Sequence, residues 1–305
     1  MKRFQSWLEK KKIKRKERIL SSLKGETFKQ TKQTRQIGKI NSKKTTIKLC
    51  KPKKEKTPDK SIKYNEEIRK KSILIGLNYP GSHYSLNGCV NDVKNGAEFL
   101  KEKNYDVKML VDEDISKSYN VIQALTELGN SAQQIVFFHY SGHGTQSKDL
   151  DQDEVDALDE VVYSKDDVLV TDDDINRILL TYPANKTVIL VFDCCHSGSI
   201  ADLPYILNVD GKIKEEKVKK TVLAKVICIS GCKDDQTSAD MTERGISFGA
   251  LSSTMYSLLR HYDGKDVTWR MFYQDLVSEM KKKRYAQYPI LSTSHASFFD
   301  EKVSL

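Results

Sequence analysis

Two short polar turns, each following an apolar run, carry the residues of this chain best suited to chemistry. The run 188–193 leads into a Cys-Cys-His-Ser-Gly turn that contains Cys195, and the run 134–140 leads into a Ser-Gly-His-Gly turn that contains His143. A thiolate is a strong nucleophile, and a neighbouring imidazole lowers the thiol pKa and accepts its proton. Parallel strands bring such turns together at their carboxyl ends. The pattern therefore predicts Cys195 as a nucleophile and His143 as its base.

Other cysteines and histidines near these turns are expected to have structural roles. Strand alternation points Cys194 to the opposite face from Cys195, and free cysteines are usually core residues. His139 lies inside its strand, and the side chain of His196 should point away from the nucleophile. Zinc is disfavoured because Cys-Cys-His lacks the gaps that let one loop wrap a tetrahedral ion. No third catalytic side chain is identifiable from the sequence.

Apolar periodicity predicts the elements that position the two turns. Strands alternate with helices along the chain, the strands at 72–77, 106–111, 134–140, 187–193 and 224–230 and the helices at 91–103, 118–128, 173–180, 249–262 and 268–282. Such alternation predicts an α/β fold, a mainly parallel sheet with helices on both faces. Active residues are expected at the carboxyl ends of its strands.

Charge divides the chain into two parts. Residues 1–71 carry 26 Lys and Arg against 7 Asp and Glu, whereas residues 72–305 have a net charge of −10. The first part has few aliphatic residues and little periodicity, so it is predicted to be a basic, largely disordered N-terminal arm or prodomain. A solvated arm is the default; binding to nucleic acid, to an acidic membrane or to the protein's own acidic domain stays open.

Composition also indicates in which cellular compartment the protein is expected. The sequence has no apolar stretch long enough to span a membrane and no signal peptide at its N-terminus. The six cysteines show no disulfide-framework spacing, and a reactive thiol needs a reducing environment. We therefore expect a cytoplasmic protein.

Six motifs, in order along residues 70–300, resemble the signatures of metacaspases, which are caspase-related cysteine peptidases. They are Gly76-Leu-Asn-Tyr with Leu86-Asn-Gly-Cys-Val-Asn-Asp, His139-Tyr-Ser-Gly-His-Gly, Asp193-Cys-Cys-His-Ser-Gly, Ile229-Ser-Gly-Cys-Lys-Asp-Asp-Gln-Thr-Ser-Ala, Gly249-Ala-Leu-Ser and Gln287-Tyr-Pro-Ile-Leu-Ser. The caspase pentapeptide Gln-Ala-Cys-x-Gly is absent, although His143 precedes Cys195 by about 50 residues, as in caspases. The absence of a long insertion makes the chain more similar to type I than to type II metacaspases.

This resemblance implies a caspase-like three-layer sandwich over residues 72–305 and a cysteine endopeptidase activity. It also implies a monomer, since single-chain metacaspases generally do not dimerise. Two hypotheses from other classes remain: a catalytically silent scaffold with the same fold, and a nucleic-acid-binding or membrane-binding protein that uses the basic arm.

The predicted specificity pocket is acidic. Asp193 lies two positions before the nucleophile and so on the same strand face, and Asp92 opens the first predicted helix. Both resemble the metacaspase pocket for Arg or Lys, with Ser141 beside them. A buried carboxylate pair is costly unless a cation joins it, so we expect protein or peptide substrates with Arg or Lys before the cut.

An acidic tract spans residues 149–174, with twelve Asp or Glu and one base, Lys165. Clustered carboxylates on loops suit Ca²⁺, although a solvated acidic loop is the alternative. The resemblance implies Ca²⁺ dependence and assigns the metal ligands to Asp159, Asp172, Asp173 and Asp202.

Self-cleavage is expected in the segment 208–221. This segment is polar, rich in lysine and without apolar periodicity, which predicts an exposed flexible loop. Exposed loops are where proteolysis concentrates. A peptidase selective for basic residues should cut itself there, and also in the arm.

Overall fold

The computed structural model describes residues 70–148, 158–165, 168–195, 197–217, 221–231, 240–243, 246–285 and 288–305. The arm predicted at 1–71 lies outside these residues except for its last two, Lys70 and Lys71, which begin the first strand. His196 and much of the acidic tract also lie outside them.

The centre of the described fold is an eight-stranded sheet. Its strands are β1 (Lys70–Gly76), β2 (Asp106–Val111), β3 (Ile135–Ser141), β7 (Thr187–Asp193), β8 (Tyr205–Leu207), β9 (Ile213–Glu215), β10 (Lys225–Ser230) and β13 (Ile290–Thr293). They lie in the order β2-β1-β3-β7-β10-β13-β8-β9. Neighbours from β2 to β10 are parallel, and β13, β8 and β9 add antiparallel pairs at one side.

Two smaller sheets complete the strands. One has three antiparallel strands, β4 (Gly144–Lys148), β5 (Leu158–Tyr163) and β6 (Leu169–Thr171), and the other is the hairpin β11 (Asp240–Glu243) and β12 (Ile246–Gly249). The three-stranded sheet begins directly after the His143 turn and was not predicted. One of its strands, β4, directly precedes the acidic tract, and the other two lie within it. The tract is too polar to show the apolar alternation from which strands are predicted.

Helices cover both faces of the central sheet. They are α1 (Cys89–Glu102), α2 (Val121–Asn130), α3 (Asp172–Leu179), α4 (Ala250–His261) and α5 (Trp269–Lys282), with short 3₁₀ helices at Asp112–Asp114 and Ala296–Asp300. α1 packs against α4 and α4 against α5, while α2 packs against α3. Phe137 belongs to the core cluster under α1, α4 and α5, and its neighbour Phe138 does not, as strand alternation requires. The predicted α/β sandwich with a mainly parallel sheet is confirmed.

Side-chain caps set the start of three described helices, α2, α3 and α5. Asn120 accepts a hydrogen bond from the backbone of Ile122, so α2 begins at Val121 rather than at the predicted residue 118. Thr171 accepts one from the backbone of Asp174 and starts α3 one residue before the predicted 173. None of the described helices is long and apolar enough to cross a membrane.

The segment 208–221 differs from the predicted flexible loop. β8 and β9 form an antiparallel hairpin at the edge of the central sheet, and its turn contains Gly211 at φ 81°. Lys214 lies within β9, whereas Lys217 follows it. The prediction of a flexible loop was wrong because β9, with three residues at the sheet edge, is too short to show periodicity in the sequence. The strand forms because its partner β8 supplies the hydrogen bonds. The segment is exposed at Lys212, Lys214 and Lys217 as expected, while 218–220 lie outside the described residues.

Candidate active site

The two chemical turns meet because β3 and β7 are parallel neighbours. Ser141 lies opposite Asp193 in the register, and the Gly142 N–H donates to the Asp193 carbonyl over 3.3 Å. A β-carbon added to Gly144 would lie 2.0 Å from the carbonyl oxygen of Cys195, so this approach requires glycine. The Ser-Gly-His-Gly turn therefore lies directly against the backbone of Cys195.

The imidazole of His143 is held by two tyrosines. Its Nε2 donates to the backbone carbonyl of Tyr84 over 2.6 Å, and its ring stacks on Tyr79 with 5.0 Å between the ring centroids. A carbonyl oxygen only accepts, so Nε2 carries the hydrogen and Nδ1 is the nitrogen that can take up a proton. Burial lowers the pKa of His143 below its usual value of 6.5, which favours the neutral imidazole that a general base must be.

Sequence reasoning found no third member for this pair, and the structure supplies a main-chain group. The Tyr84 carbonyl fixes the tautomer and orientation of His143, a task that a carboxylate or amide performs in many enzymes. A main-chain acceptor leaves no mark in the residue types, so no motif could have revealed it.

The three predicted pocket residues form one hydrogen-bonded cluster. Ser141 Oγ donates to Asp92 Oδ2 over 2.8 Å, and both carboxylates are buried, Asp92 fully and Asp193 with 3% of its surface exposed. The first turn of α4 completes the cluster, since the Gly249 N–H donates to Asp92 Oδ1 over 2.8 Å and the Ser252 N–H donates to Asp193 Oδ2 over 2.9 Å. The two aspartates thus share the positive end of a helix dipole.

Gly249 marks where the two carboxylates meet. A β-carbon there would lie 2.2 Å from Asp193 Oδ2 and 2.8 Å from Asp92 Oδ2. Gly249 and Ser252 belong to the Gly249-Ala-Leu-Ser motif, but the sequence alone predicted no role for either residue. The available signal was a glycine as the first residue of the predicted helix 249–262, a position that suits close approach to an anion.

His139 has the structural role expected of it, but it also supports the acidic cluster. Its Nε2 lies 3.0 Å from Ser252 Oγ and its Nδ1 lies 3.0 Å from the hydroxyl of Tyr256, both on α4. Full burial lowers the pKa of His139 to about 3, so the imidazole is neutral. A neutral histidine therefore ties β3 to the helix whose N-terminus holds the two aspartates.

A second buried pair of carboxylates comes from the acidic tract. Asp172 is the first residue of α3, with 2% of its surface exposed, and Asp159 on β5 has 8% exposed. Asp172 accepts hydrogen bonds from the backbone N–H groups of Glu160 (2.6 Å) and Asp173 (2.7 Å). Burial, and after it the charge of Asp159, nevertheless raises the pKa of Asp172 to about 7.

The other two predicted metal ligands adjoin α3. Asp173 follows Asp172 in the helix, and the backbone carbonyl of Asp202, a residue with φ 45°, accepts from Asn176 Nδ2 on the same helix over 3.2 Å. Glu160, which sequence reasoning did not single out, is buried beside them and accepts from Ser199 Oγ. Within the described residues, no three side chains of His, Cys, Asp or Glu are already grouped so that they could hold a metal ion.

Comparison with known sequences places the chain in a family. A family model described as the metacaspase peptidase C14 domain matches residues 70–204. Metacaspase-1 of Cryptococcus neoformans (strain JEC21) is 35% identical over 289 residues, which covers 74% of this chain and 63% of that protein. Metacaspase-1 of Candida glabrata is 33% identical over 289 residues, covering 74% of this chain and 73% of that protein. The chain thus spans less than two thirds of the length of the Cryptococcus relative.

Solved structures support the fold. A crystal structure of a protein from Geobacter sulfurreducens covers 76% of this chain and 97% of its own, with a TM-score of 0.56 and 24% identity. The Drosophila initiator caspase Dronc covers 86% of this chain and 95% of its own, with a TM-score of 0.50 and 13% identity. These structures show that the chain has the caspase-like sandwich fold. The sequence relatives show its family, and on that evidence this chain belongs to the metacaspases.

Proposed function

We propose that the protein is a cysteine endopeptidase that cleaves after Arg or Lys. The observation that supports this proposal is that a histidine suited to act as a base and a buried pair of carboxylates lie close to each other. The His143 imidazole, in its neutral state and with Nδ1 as acceptor, follows β3 beside Cys195, and the buried Asp92–Asp193 cluster lies at the ends of the same two strands. A nucleophile and a pocket for a cationic side chain are the two parts that such an enzyme needs.

The chemistry follows the order of proton transfers that these groups allow. Cys195 gives its thiol proton to His143 and attacks the carbonyl carbon of the scissile peptide bond, while backbone N–H groups near Gly144 and Cys195 stabilise the oxyanion. The tetrahedral intermediate collapses, the C–N bond breaks, and His143 protonates the leaving amine. Water then hydrolyses the thioester, which frees the acid and regenerates the thiol.

Specificity for Arg or Lys rests on the cluster at the start of α4. The described part of the cluster contains two carboxylates and their N–H and O–H donors. A guanidinium or ammonium group from the substrate would place a positive charge against these two buried carboxylates. An aspartate side chain in the same position would add a third negative charge, so we expect no cleavage after Asp.

Calcium dependence is proposed for the second acidic pair. Asp159 and Asp172 are buried together, and the raised pKa of Asp172 records the cost of holding its charge there. A divalent cation offsets that cost, and flexible carboxylate sites suit Ca²⁺ better than Mg²⁺. Asp159, Asp172, Asp173 and Asp202 would hold the ion, which supplies positive charge that orders the loops around α3.

Self-processing is proposed at the lysines after β9. Lys214 is hydrogen-bonded into the sheet edge and is a poor site, because a peptidase needs an extended segment that can leave its partners. Lys217, Lys219 and Lys220 follow the strand in sequence and are the preferred candidates. Mass spectrometry of protein incubated with Ca²⁺ should find cuts between 217 and 221, and cuts that persist in Cys195→Ala would contradict self-processing.

The direct test of the function uses fluorogenic peptides that end in Arg, Lys or Asp, with and without Ca²⁺. Cys195→Ala and His143→Ala should each abolish cleavage after Arg and Lys, whereas Cys194→Ala, which changes a fully buried thiol, should retain most of it. A Cys195→Ala enzyme as fast as the wild type would refute the assignment. A folded wild type that cuts no peptide would favour the silent scaffold.

The pH profile tests the role of His143. Its pKa lies below 6.5, so the neutral base persists as the pH falls to that value and is lost only at lower pH. The acidic limb of kcat/KM should therefore lie below pH 6.5. A limb well above that pH would assign the titration to another group.

Cytoplasmic location and a monomeric state stay predictions. Fluorescence microscopy of the tagged protein tests the first, and size-exclusion chromatography with light scattering tests the second.

A further inference from the structure

A cavity of about 740 Å³ lies beside His143 and has no role in the chemistry described above. Its walls come from three places: the loop after β1 (Tyr79 to Tyr84), the loop after β2 (116–118), and the end of β5 with the turn that follows it (Tyr163 and Lys165). Two of the wall residues are the ones that hold the imidazole, since Tyr79 stacks on the ring and the Tyr84 carbonyl accepts from Nε2. The cavity therefore adjoins the residues that position His143.

The cavity and the acidic cluster lie on opposite faces of β3. Ser141 Oγ donates to Asp92 in the acidic cluster. Its neighbour Tyr140 points to the other face, where its hydroxyl contacts the hydroxyl of Tyr79 (3.0 Å) and donates to the carbonyl of Tyr163 (2.8 Å), both wall residues of the cavity. His143 lies two residues after Ser141. The imidazole thus lies between the acidic cluster on one side and the cavity on the other.

This arrangement gives a bound peptide a direction. The side chain before the cut enters the acidic cluster, and the amine after the cut must take a proton from His143. Because the cavity adjoins His143 on the side away from the acidic cluster, the residues after the cut pass over the imidazole toward the cavity. The cavity is then in position to receive a side chain from the leaving part of the substrate.

The lining of the cavity selects the chemistry of that side chain. Lys117 is exposed at the rim, and Lys165, two residues after β5, donates to the backbone carbonyl of Asp112. Ser82, Ser116, Ser118 and Tyr84 also line the cavity, and their hydroxyl groups are hydrogen-bonded within the protein. The described residues that line the cavity include no carboxylate. The carboxylate of Asp112 lies behind the wall, where it accepts from the Tyr79 N–H over 2.7 Å. The positive charges of Lys117 and Lys165 favour an anionic ligand.

We propose that this cavity is a substrate subsite for an acidic side chain within the first three residues after the cut. The inference rests on the proposed peptidase function and deepens it. The substrate it selects is a segment with a basic residue before the scissile bond and Glu or Asp shortly after it.

The test compares quenched fluorescent peptides that share Arg before the cut and carry Glu, Gln or Lys at each of the three following positions. At one position or more, the Glu peptide should exceed the Lys peptide in kcat/KM by about three- to tenfold, the effect of one or two partly exposed ion pairs. The preference should weaken as salt screens the charges. Equal rates for Glu, Gln and Lys at all three positions would overturn the subsite and leave the peptidase function intact.

Charge reversal at the rim identifies the cavity as the source of the preference. Lys117→Glu should abolish the preference for the Glu peptide, because it replaces one of the two positive charges in the described lining with a negative charge. Lys101→Glu, a matched change at an exposed position of α1 near the opposite end of the strands, should leave the order unchanged. A preference that Lys117→Glu does not alter would overturn the assignment to this cavity.

Binding to an inactive protein separates the subsite from catalysis. Cys195→Ala should bind the labelled Glu peptide about three- to tenfold more tightly than the Lys peptide in fluorescence anisotropy, and Cys195→Ala with Lys117→Glu should lose that difference. Equal binding of the two peptides by Cys195→Ala would overturn the subsite even if the wild type proves to be a peptidase.

Discussion

Two pairs of aspartates are buried in the part of the chain that the structure describes, and they differ in the groups that support them. Asp92 and Asp193 accept hydrogen bonds from the Ser141 hydroxyl and from two N–H groups at the start of α4, so their donors come from β3 and from a helix far away in the sequence. In the second pair, Asp172 accepts from its neighbour Asp173 and from β5, yet burial beside Asp159 raises its pKa to about 7.

The difference teaches what each pair is suited to hold. The first pair is fixed in place by the positive end of a twelve-residue helix, which suits a rigid pocket for one cationic side chain. The second pair retains an electrostatic cost in the protein alone, which a bound cation would relieve. One pair therefore fits a role in specificity, and the other fits a role in ion-dependent control.

Removing one aspartate of the first pair should have the largest of the three effects, measured as a loss of kcat/KM. Asp193→Ala leaves an arginine side chain without its partner in a desolvated pocket, which costs about 3–5 kcal/mol, or several hundredfold or more in kcat/KM. The control is Glu98→Ala, which removes an exposed carboxylate from α1, the helix that carries Asp92. Near-wild-type cleavage after Arg by a folded Asp193→Ala enzyme, or efficient cleavage after Asp, would refute the pocket.

The histidine behind the first pair should make the fold sensitive to acid. The pKa of His139 falls from 6.5 to about 3 on folding, so the stability it contributes is complete above pH 6.5 and is lost as the pH falls toward 3. Between pH 7 and pH 5 the wild type should lose about 2 kcal/mol of unfolding free energy that His139→Gln does not lose. Urea unfolding at both pH values measures this loss, and identical losses in the two proteins would contradict it.

Binding of Ca²⁺ to the second pair should have the smallest of the three effects, measured as a change in the free energy of unfolding. Free Ca²⁺ at ten times its dissociation constant should raise the unfolding free energy by about 1.4 kcal/mol, with Mg²⁺ giving less. Asp172→Asn should abolish the gain, whereas Glu113→Gln, a change at an exposed acid on the 3₁₀ helix after β2, should retain it. Thermal unfolding with Ca²⁺ or chelator measures the effect, and an equal gain in Asp172→Asn would exclude this site.

The strands that carry the chemistry were predictable because they are buried on both faces. β3 and β7 appear as long apolar runs, and the predicted bounds agree with the observed ones to within one residue. β8, β9 and β13 were missed because three or four residues show no period, and each is stabilised by a partner distant in sequence or at the sheet edge.

The sequence by itself determined which side chains can react and which strand ends present them. His143 and Cys195 stand out because a polar turn after a buried strand is a pattern of residue types. The Tyr84 carbonyl, the N–H groups of Gly249 and Ser252 and the tyrosine-walled cavity were decided by the tertiary structure alone. Every residue other than proline carries the same N–H and C=O, so only folding decides which of them meets an imidazole or a carboxylate.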